Sequence, residues 1–412
     1  MKYKKKVLVI AYACEPNKTS EPGVGWNFVK EISKSFETTV ITRANNRVHV
    51  ENEKINSVNF EYFDLPRFFI WLKKRMPLGT QFYYFVWQWA VYLKWRKKIK
   101  SEDLKFKLLH HLNFGITWIT PPAFLYKIPF VWGPIGGGDI VPFRFLKTMR
   151  NRAIIQESFY RLITNISKIS IFSYLTVRKS NAIVFRNESA KKSFLKYNDA
   201  KYIVISETAT SISNIETPKT IQKNMHAICV GRMNYWKGFL FAVKGFHSFL
   251  NKGGKGKLEL FGDGTEKDII ENYIELNNLQ KHIFIRGFVD NSIVLKKMKE
   301  ANVLIHPSFR DGGSWAIMEA MSNGLPVICL NTSGPKDMVT EECGLLINMK
   351  SPNQVVQDIG VGLLELFNDE KKYRQLSGNA IRRIVEEYNW EKRGEQIKEV
   401  YERVLGDERI DG

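Results

Sequence analysis

Short apolar runs alternate with helix-period segments along nearly the whole chain, and the alternation happens twice. In the first half the runs fall at 7–13, 39–42, 58–63, 108–112, 130–132, 182–185 and 202–205, with helical patterns at 26–35, 82–100, 152–167 and 189–196. Apolar runs this short, with no polar alternation, suit strands buried on both faces, which means parallel sheets covered by helices. From 206 to 224 the chain turns polar, rich in Ser, Thr and Lys, and reads as a linker. A second alternation follows, with runs at 227–230, 258–261, 283–285, 303–305, 327–330 and 345–347 and helices at 239–250, 266–277, 292–300 and 315–322. The stretch 352–405 is almost wholly helical. The pattern predicts an α/β chain of two Rossmann-like domains, 1–205 and 225–387, with parallel sheets facing across a cleft. A length of 412 residues fits that division. Open sheets of this kind bind ligands outside the carboxyl ends of their strands, so the loops after strands hold the candidate chemistry.

The richest such loop is His306-Pro307-Ser308-Phe309-Arg310-Asp311-Gly312-Gly313-Ser314, which leads into the helical spacing Trp315 to Met321. It sets Asp311 before a helix and Glu319 inside it, with small residues between them at the helix N-terminus. A helix end can hold an anion while carboxylates take hydroxyls, an arrangement that suits a phosphorylated, polyhydroxylated ligand. After the first strand of the same domain stands Gly231-Arg232-Met233-Asn234-Tyr235-Trp236-Lys237-Gly238. Arg232 and Lys237 in one strand-to-helix loop are suited to a diphosphate and to its stabilisation as a leaving group. Gly262-Asp263-Gly264 is turn chemistry that can also pack a base or phosphate. Arg286, after the third strand, could frame a nucleobase. In the first domain, Glu21-Pro22-Gly23-Val24-Gly25-Trp26 opens a helix, and Gly133 to Asp139 includes the run Gly136-Gly137-Gly138. Neither is a GxGxxG or a Walker A motif, which argues against nicotinamide enzymes and P-loop NTPases. His110 and His111 end the fourth strand; neighbouring side chains of a strand point opposite ways, so one of the two is expected to face the ligand. No HExxH or Asp-x-Asp motif occurs, and a metal-independent mechanism without cofactor is expected.

The formal charge is +20 and the isoelectric point about 9.6, which calls for an anionic partner. From Arg67 to Lys100 there are nine basic residues and no acidic ones, interleaved with eleven aromatics. Aromatic rings and cations together suit the headgroup region of an anionic membrane. Nucleic acid is not expected, because no RNA-binding motif accompanies the segment. No run of eighteen apolar residues predicts a spanning helix. The basic start followed by residues 7–14 has the look of a signal peptide, but Glu15-Pro16-Asn17 replaces a small-residue cleavage site, and a buried first strand is the better reading. Cys14, Cys229, Cys329 and Cys343 form no CxxC pair, which suits a reducing cytoplasm.

These residues resemble the retaining GT-B glycosyltransferases of family 4, over nearly the whole chain. The stretch from His306 to Ile328 looks like that family's Glu-x7-Glu signature followed by Glu-Ala-Met and Gly-x-Pro-Val-Ile, and the paired glycine loops look like its surface-polysaccharide branch. The resemblance implies two facing Rossmann-like domains, with the helix 388–405 crossing back to the first. It implies a UDP- or GDP-sugar donor and a lipid-linked or oligosaccharide acceptor at the inner face of the plasma membrane. By position, Arg232, Lys237, Asp311 and His111 are the expected catalytic groups. Gly25, His110, Gly231, Gly262, Arg286, Gly313, Ser314, Trp315 and Glu319 are expected at the donor, and Gly136, Gly137 and Gly138 on the acceptor side. Asp311 stands where the family has its first Glu, one methylene shorter, and the family's Gly-Phe-Gly is here Gly312-Gly313-Ser314. A sugar-nucleotide epimerase, a phosphorylase and an inactive membrane or polysaccharide scaffold are the competing readings.

Overall fold

The structure, a computed structural model, describes residues 4–76, 78–100, 106–194, 201–211, 217–221 and 224–406. The chain divides into two units. The first comprises Met1–Gly138, Leu162–Glu207 and Trp390–Gly412; the second comprises Asp139–Arg161 and Thr208–Asn389. The boundary therefore departs from the one read in the sequence, because Asp139–Arg161 belongs to the second unit. Part of the linker at 206–224 and the end of the helix at 189–196 lie outside the described residues.

The first unit holds strands β1 (Lys6–Ile10), β2 (Glu37–Thr42), β3 (Val58–Tyr62), β4 (Leu108–His111), β5 (Gly115–Ile116), β6 (Phe130–Gly136), β7 (Ala182–Phe185) and β8 (Tyr202–Val204). They form one parallel sheet in the order β3-β2-β1-β4-β6-β7-β8, with β5 paired to β6. The second unit holds β9 (Met225–Val230), β10 (Gly256–Phe261), β11 (Ile283–Gly287), β12 (Val303–His306), β13 (Val327–Leu330) and β14 (Gly344–Ile347). Their order is β11-β10-β9-β12-β13-β14, again all parallel. In both sheets the order reverses once, between β1 and β4 and between β9 and β12. Such switch points are where adjacent strand-end loops diverge and leave room for a ligand.

The strands are buried runs because helices cover both faces. In the second unit Phe239, Phe246 and Phe249 of helix Phe239–Asn251 pack with Leu258, Leu260 and Val303 of the sheet, and Val141 and Phe145 join the same core. In the first unit helix Gly79–Lys100 buries Tyr83, Tyr84, Trp87, Val91 and Trp95 against Leu8, Leu109 and Phe130. So part of the aromatic-basic segment is core. Of its other rings, Phe68, Trp71, Phe82 and Phe85 are exposed and Phe69, Trp89 and Tyr92 are partly buried. Helix Trp390–Gly406 also belongs to the first unit, where Trp390 packs on Phe28 and Tyr401 on Phe36. No helix among the described residues is long and apolar enough to cross a membrane.

Candidate functional site

The loops after β9 and β12 flank the switch point of the second sheet. After β9 the chain makes a short 3-10 turn, Tyr235–Lys237, and enters helix Phe239–Asn251 through Gly238. Gly238 has φ +67, and a Cβ there would collide with the Pro307 carbonyl, so only glycine lets this loop press on the next one. The two loops are further tied by Phe309 N–H donating to the Trp236 carbonyl at 2.8 Å.

That contact places Lys237 Nζ 2.6 Å from Asp311 Oδ2. His306 Nε2 lies 2.9 Å from the same oxygen, and Ser314 Oγ lies 3.4 Å from that nitrogen. Burial pushes the Asp311 carboxyl up, but Lys237 and His306 outweigh it and hold it well below the usual carboxylate range. The same burial pulls His306 down, with Asp311 opposing. The loop backbone is held too: Ser333 Oγ donates to the Asp311 carbonyl at 2.5 Å and Gly334 N–H to the same oxygen at 2.9 Å. Ser314 caps helix Trp315–Ser322, its Oγ accepting from Ile317 N–H at 3.3 Å, which keeps Gly313 and Trp315 at the helix entrance. Arg232 is exposed and forms no ion pair among the described residues.

Glu319 sits in the second turn of that helix. Burial raises its carboxyl to about 7, partly opposed by Asn291 Nδ2, which donates to it at 3.3 Å. By resemblance Asp311 is expected among the catalytic groups and Glu319 at the donor. Here one is a firmly held anion and the other a group poised near neutrality.

Gly262 abuts the Gly231 carbonyl, so these two strand ends touch without side chains between them. Arg286 pairs with the buried Glu259 at 2.6 Å, beside His226 and Lys257, and stacks over Phe284.

Three residues were not singled out from sequence. Glu157, fully buried, accepts from Val141 N–H at 2.8 Å and from the Tyr235 hydroxyl at 3.0 Å, and pairs with Arg310. It thus grips both loops from behind, two residues from Lys237 and one from Asp311. Asp139 Oδ2 lies 2.9 Å from Ser333 Oγ, the same Ser333 that meets the Asp311 backbone. His306 completes the set. One sequence signal for Glu157 existed: it is the lone acid between 140 and 186.

In the first unit, the loops after β1 and β4 flank the other switch point. His110 is fully buried, with Nε2 2.6 Å from the Gly133 carbonyl and Nδ1 2.6 Å from the Tyr401 hydroxyl. A carbonyl only accepts, so Nε2 carries the proton and Nδ1 accepts from tyrosine. Burial holds the imidazole down at about 4. His111 Nε2 lies 2.6 Å from the Tyr84 hydroxyl, and its buried Nδ1 has no partner among the described residues. Burial brings it to about 3. The two histidines therefore lie on opposite faces, as strand alternation requires.

The glycine loops of this unit are occupied by the unit's own atoms. Gly25 lies against the Ala13 carbonyl and the Asn113 amide. Gly136 lies against the Arg186 side chain and Gly138 against Ser193, whose hydroxyl donates to the Gly137 carbonyl at 3.1 Å. Arg186 also pairs with Glu207 at 3.0 Å and donates to the Gly115 carbonyl at 2.8 Å. Glu21 accepts from Phe114 N–H at 3.0 Å.

With the geometry in hand, residues 213–383 match the family model described as glycosyl transferases group 1. The chain is 27% identical over 187 residues to the poly(glycerol-phosphate) alpha-glucosyltransferase of Bacillus subtilis (strain 168), covering 42% of this chain and 27% of that protein. It is 24% identical over 215 residues to the poly(ribitol-phosphate) alpha-N-acetylglucosaminyltransferase of Staphylococcus aureus (strain COL), covering 52% of this chain and 42% of that protein. The chain thus spans less than half the length of either relative. Among solved structures, Anabaena HepE in complex with UDP and glucose superposes with a TM-score of 0.63 at 16% identity, over 97% of this chain and 100% of that one. At that identity the likeness establishes the fold, the two-domain GT-B architecture.

Proposed function

We propose that this chain, which carries a glycosyl transferases group 1 match over residues 213–383, moves a sugar from a nucleotide-sugar donor to a glycan acceptor in cell-surface polysaccharide synthesis. The reading rests on one observation above the rest: Lys237 and His306 converge within 2.9 Å of one Asp311 carboxylate oxygen at the switch point of the second sheet. A donor diphosphate offers Lys237 a second anion, and exposed Arg232 supplies the other charge. Together they stabilise the leaving diphosphate, the work a metal ion does elsewhere, so we assign the enzyme to the metal-independent, cofactor-free kind.

Asp311, with His306 fixing its carboxylate, takes hydroxyls of the transferred sugar. Glu319 takes the ribose, and the amides about Gly313 and Trp315 assist the phosphates. Of the two histidines we assign His111 to the sugar, because both ring nitrogens of His110 are already spent within its own unit. Retention of configuration follows from the family resemblance: the leaving diphosphate helps deprotonate the acceptor on the same face, and the protein supplies orientation and charge. A UDP-sugar is favoured by the HepE likeness. An acceptor carrying phosphate, lipid-linked or polymeric, is favoured by the two relatives and by the +20 charge. The exposed rings and cations between Arg67 and Lys100 support a site of action at the inner face of the plasma membrane.

A thermal-shift panel of UDP-, GDP- and ADP-sugars tests the donor assignment. A specific donor raises the melting temperature by mass action, and a flat panel overturns the proposal.

A further inference from the structure

Helix Asn151–Ile169 and the next helix, Ile171–Lys179, carry exposed apolar residues where the fold offers them no cover. Within the first unit, Leu162, Ile166 and Ile169 recur at helical spacing on one side, and Ile169 is 85% exposed. Ile171 and Phe172 continue them across Ser170 and are exposed as well. Phe172 meets Trp89 edge-on at 6.2 Å. Trp89 lies on the outer side of helix Gly79–Lys100, in line with exposed Phe82, Phe85 and Leu93. Two stripes from different parts of the sequence thus join at one aromatic contact. An apolar surface of this extent marks an interaction site.

The charges around it select the partner. From Leu162 to Lys179 the chain has Lys168, Arg178 and Lys179 and no acid, and helix Gly79–Lys100 adds Arg96, Lys97 and Lys98, again with no acid. All six are exposed. Protein–protein interfaces are depleted in lysine. Anionic headgroups reward a cationic rim around an apolar insert, at about 1 kcal/mol per Lys or Arg near the surface. We infer that this face docks on an anionic lipid bilayer, with Phe85, Leu93, Ile166, Ile169 and Phe172 entering the acyl boundary and the lysines and arginines at headgroup depth. The inference rests on the proposed membrane location and names the element that delivers it, adding helix Ile171–Lys179 and the end of its predecessor to the segment seen in sequence.

The test is co-sedimentation of the full chain with vesicles of phosphatidylcholine containing 0 or about 30% phosphatidylglycerol, a range that spans neutral to strongly anionic surfaces. Binding is expected to the anionic vesicles and to fall at least about tenfold in Ile166→Glu/Ile169→Glu. Arg178→Glu/Lys179→Glu is expected to lower it too. Hydrogen exchange on the unsubstituted chain, with and without vesicles, is expected to show protection confined to 82–98 and 162–179. Absence of vesicle binding overturns the inference, as does protection elsewhere. A concentration-dependent dimer that the isoleucine substitutions dissociate, without vesicles, overturns it in favour of a second copy. The UDP-sugar thermal shift, run on the same variants, is expected to be unchanged. Its loss in every sample counts against the donor proposal and leaves the vesicle result to judge the surface.

Discussion

The two units share a strand order and a switch point, yet their strand-end loops are used in opposite ways. In the second unit, two ionisable groups, Lys237 and His306, crowd the Asp311 carboxylate, and Arg232 stays exposed. In the first, each glycine loop is filled by a neighbouring side chain, and His110 is closed in by a carbonyl and a tyrosine. A glycine-rich loop after a parallel strand is therefore not by itself a phosphate cradle. What matters is whether the protein's own atoms already occupy the space.

The largest expected effect breaks or confirms that contrast directly. Lys237→Ala should lower sugar transfer by about a thousandfold or more, as removal of a preorganised charge at a leaving group does, while the protein stays folded, since His306 still meets Asp311. Arg186→Ala in the first unit should do the reverse. It removes the 3.0 Å ion pair of the buried Glu207 and should cost about 2–4 kcal/mol of stability in urea unfolding, with donor affinity kept. Undiminished transfer by Lys237→Ala would end the donor-site assignment.

Next comes the support behind the site. Glu157→Gln keeps the shape but leaves Arg310 without its counter-charge, so a loss of about 2–3 kcal/mol is expected. Because Glu157 touches both loops, the donor KM should rise about tenfold or more. Asp268→Asn, which frees an exposed arginine on the same unit, should change neither, since surface pairs contribute little.

How much of this was legible in the chain follows from the same contacts. Most strands were read to within a residue or two because each is a buried run between turn residues, and β13 matches to the residue, but β1 was carried three residues past Ile10 and the two-residue β5 was missed. β6 was cut short at Trp132 because its glycines read as loop, whereas the strand runs through Gly136. Helix Ile171–Lys179 was missed because its exposed Ile171 and Phe172 blur any apolar stripe. Lys237 and Asp311 were found through local spacing, but their ion pair was not, since it joins residues 74 apart. Glu157 and Asp139 escaped for the same reason: they lie in the piece of chain assigned to the other domain. The inequality of Asp311 and Glu319 is set by burial and by neighbours, neither of which spacing encodes.

That inequality predicts a pH effect of intermediate size. Glu319 keeps its proton in the fold up to about 7, above its ordinary value of 4.5. Between those values the folded chain binds more protons than the unfolded one, so this group's contribution to stability is fully present below 4.5 and is lost as pH rises through 7. Ribose hydroxyls donate to the ionised form, so donor binding should tighten over the same rise. Glu319→Gln should flatten both curves. A donor affinity independent of pH between 5.5 and 8 (a window of about one to two units around that value) would remove Glu319 from the ribose.

The smallest expected effects separate the two histidines. His110→Phe leaves the Gly133 carbonyl and the Tyr401 hydroxyl unpaired in the interior, which costs about 1–3 kcal/mol for each group left unsatisfied. It should lower the melting temperature by several degrees and leave kcat of the folded enzyme within about threefold, because nothing on that ring remains to meet a substrate. His111→Phe removes a ring whose Nδ1 has no partner among the described residues and takes from the Tyr84 hydroxyl its 2.6 Å partner, so its stability should fall by about 1–3 kcal/mol, less than in His110→Phe, where two groups lose a partner. Its transfer rate should fall about tenfold or more if that nitrogen serves the sugar. Equal losses of rate in both variants would mean that the first unit contributes through its packing alone, and the contrast between the two switch points would then be complete: charge and chemistry in one, a closed scaffold in the other.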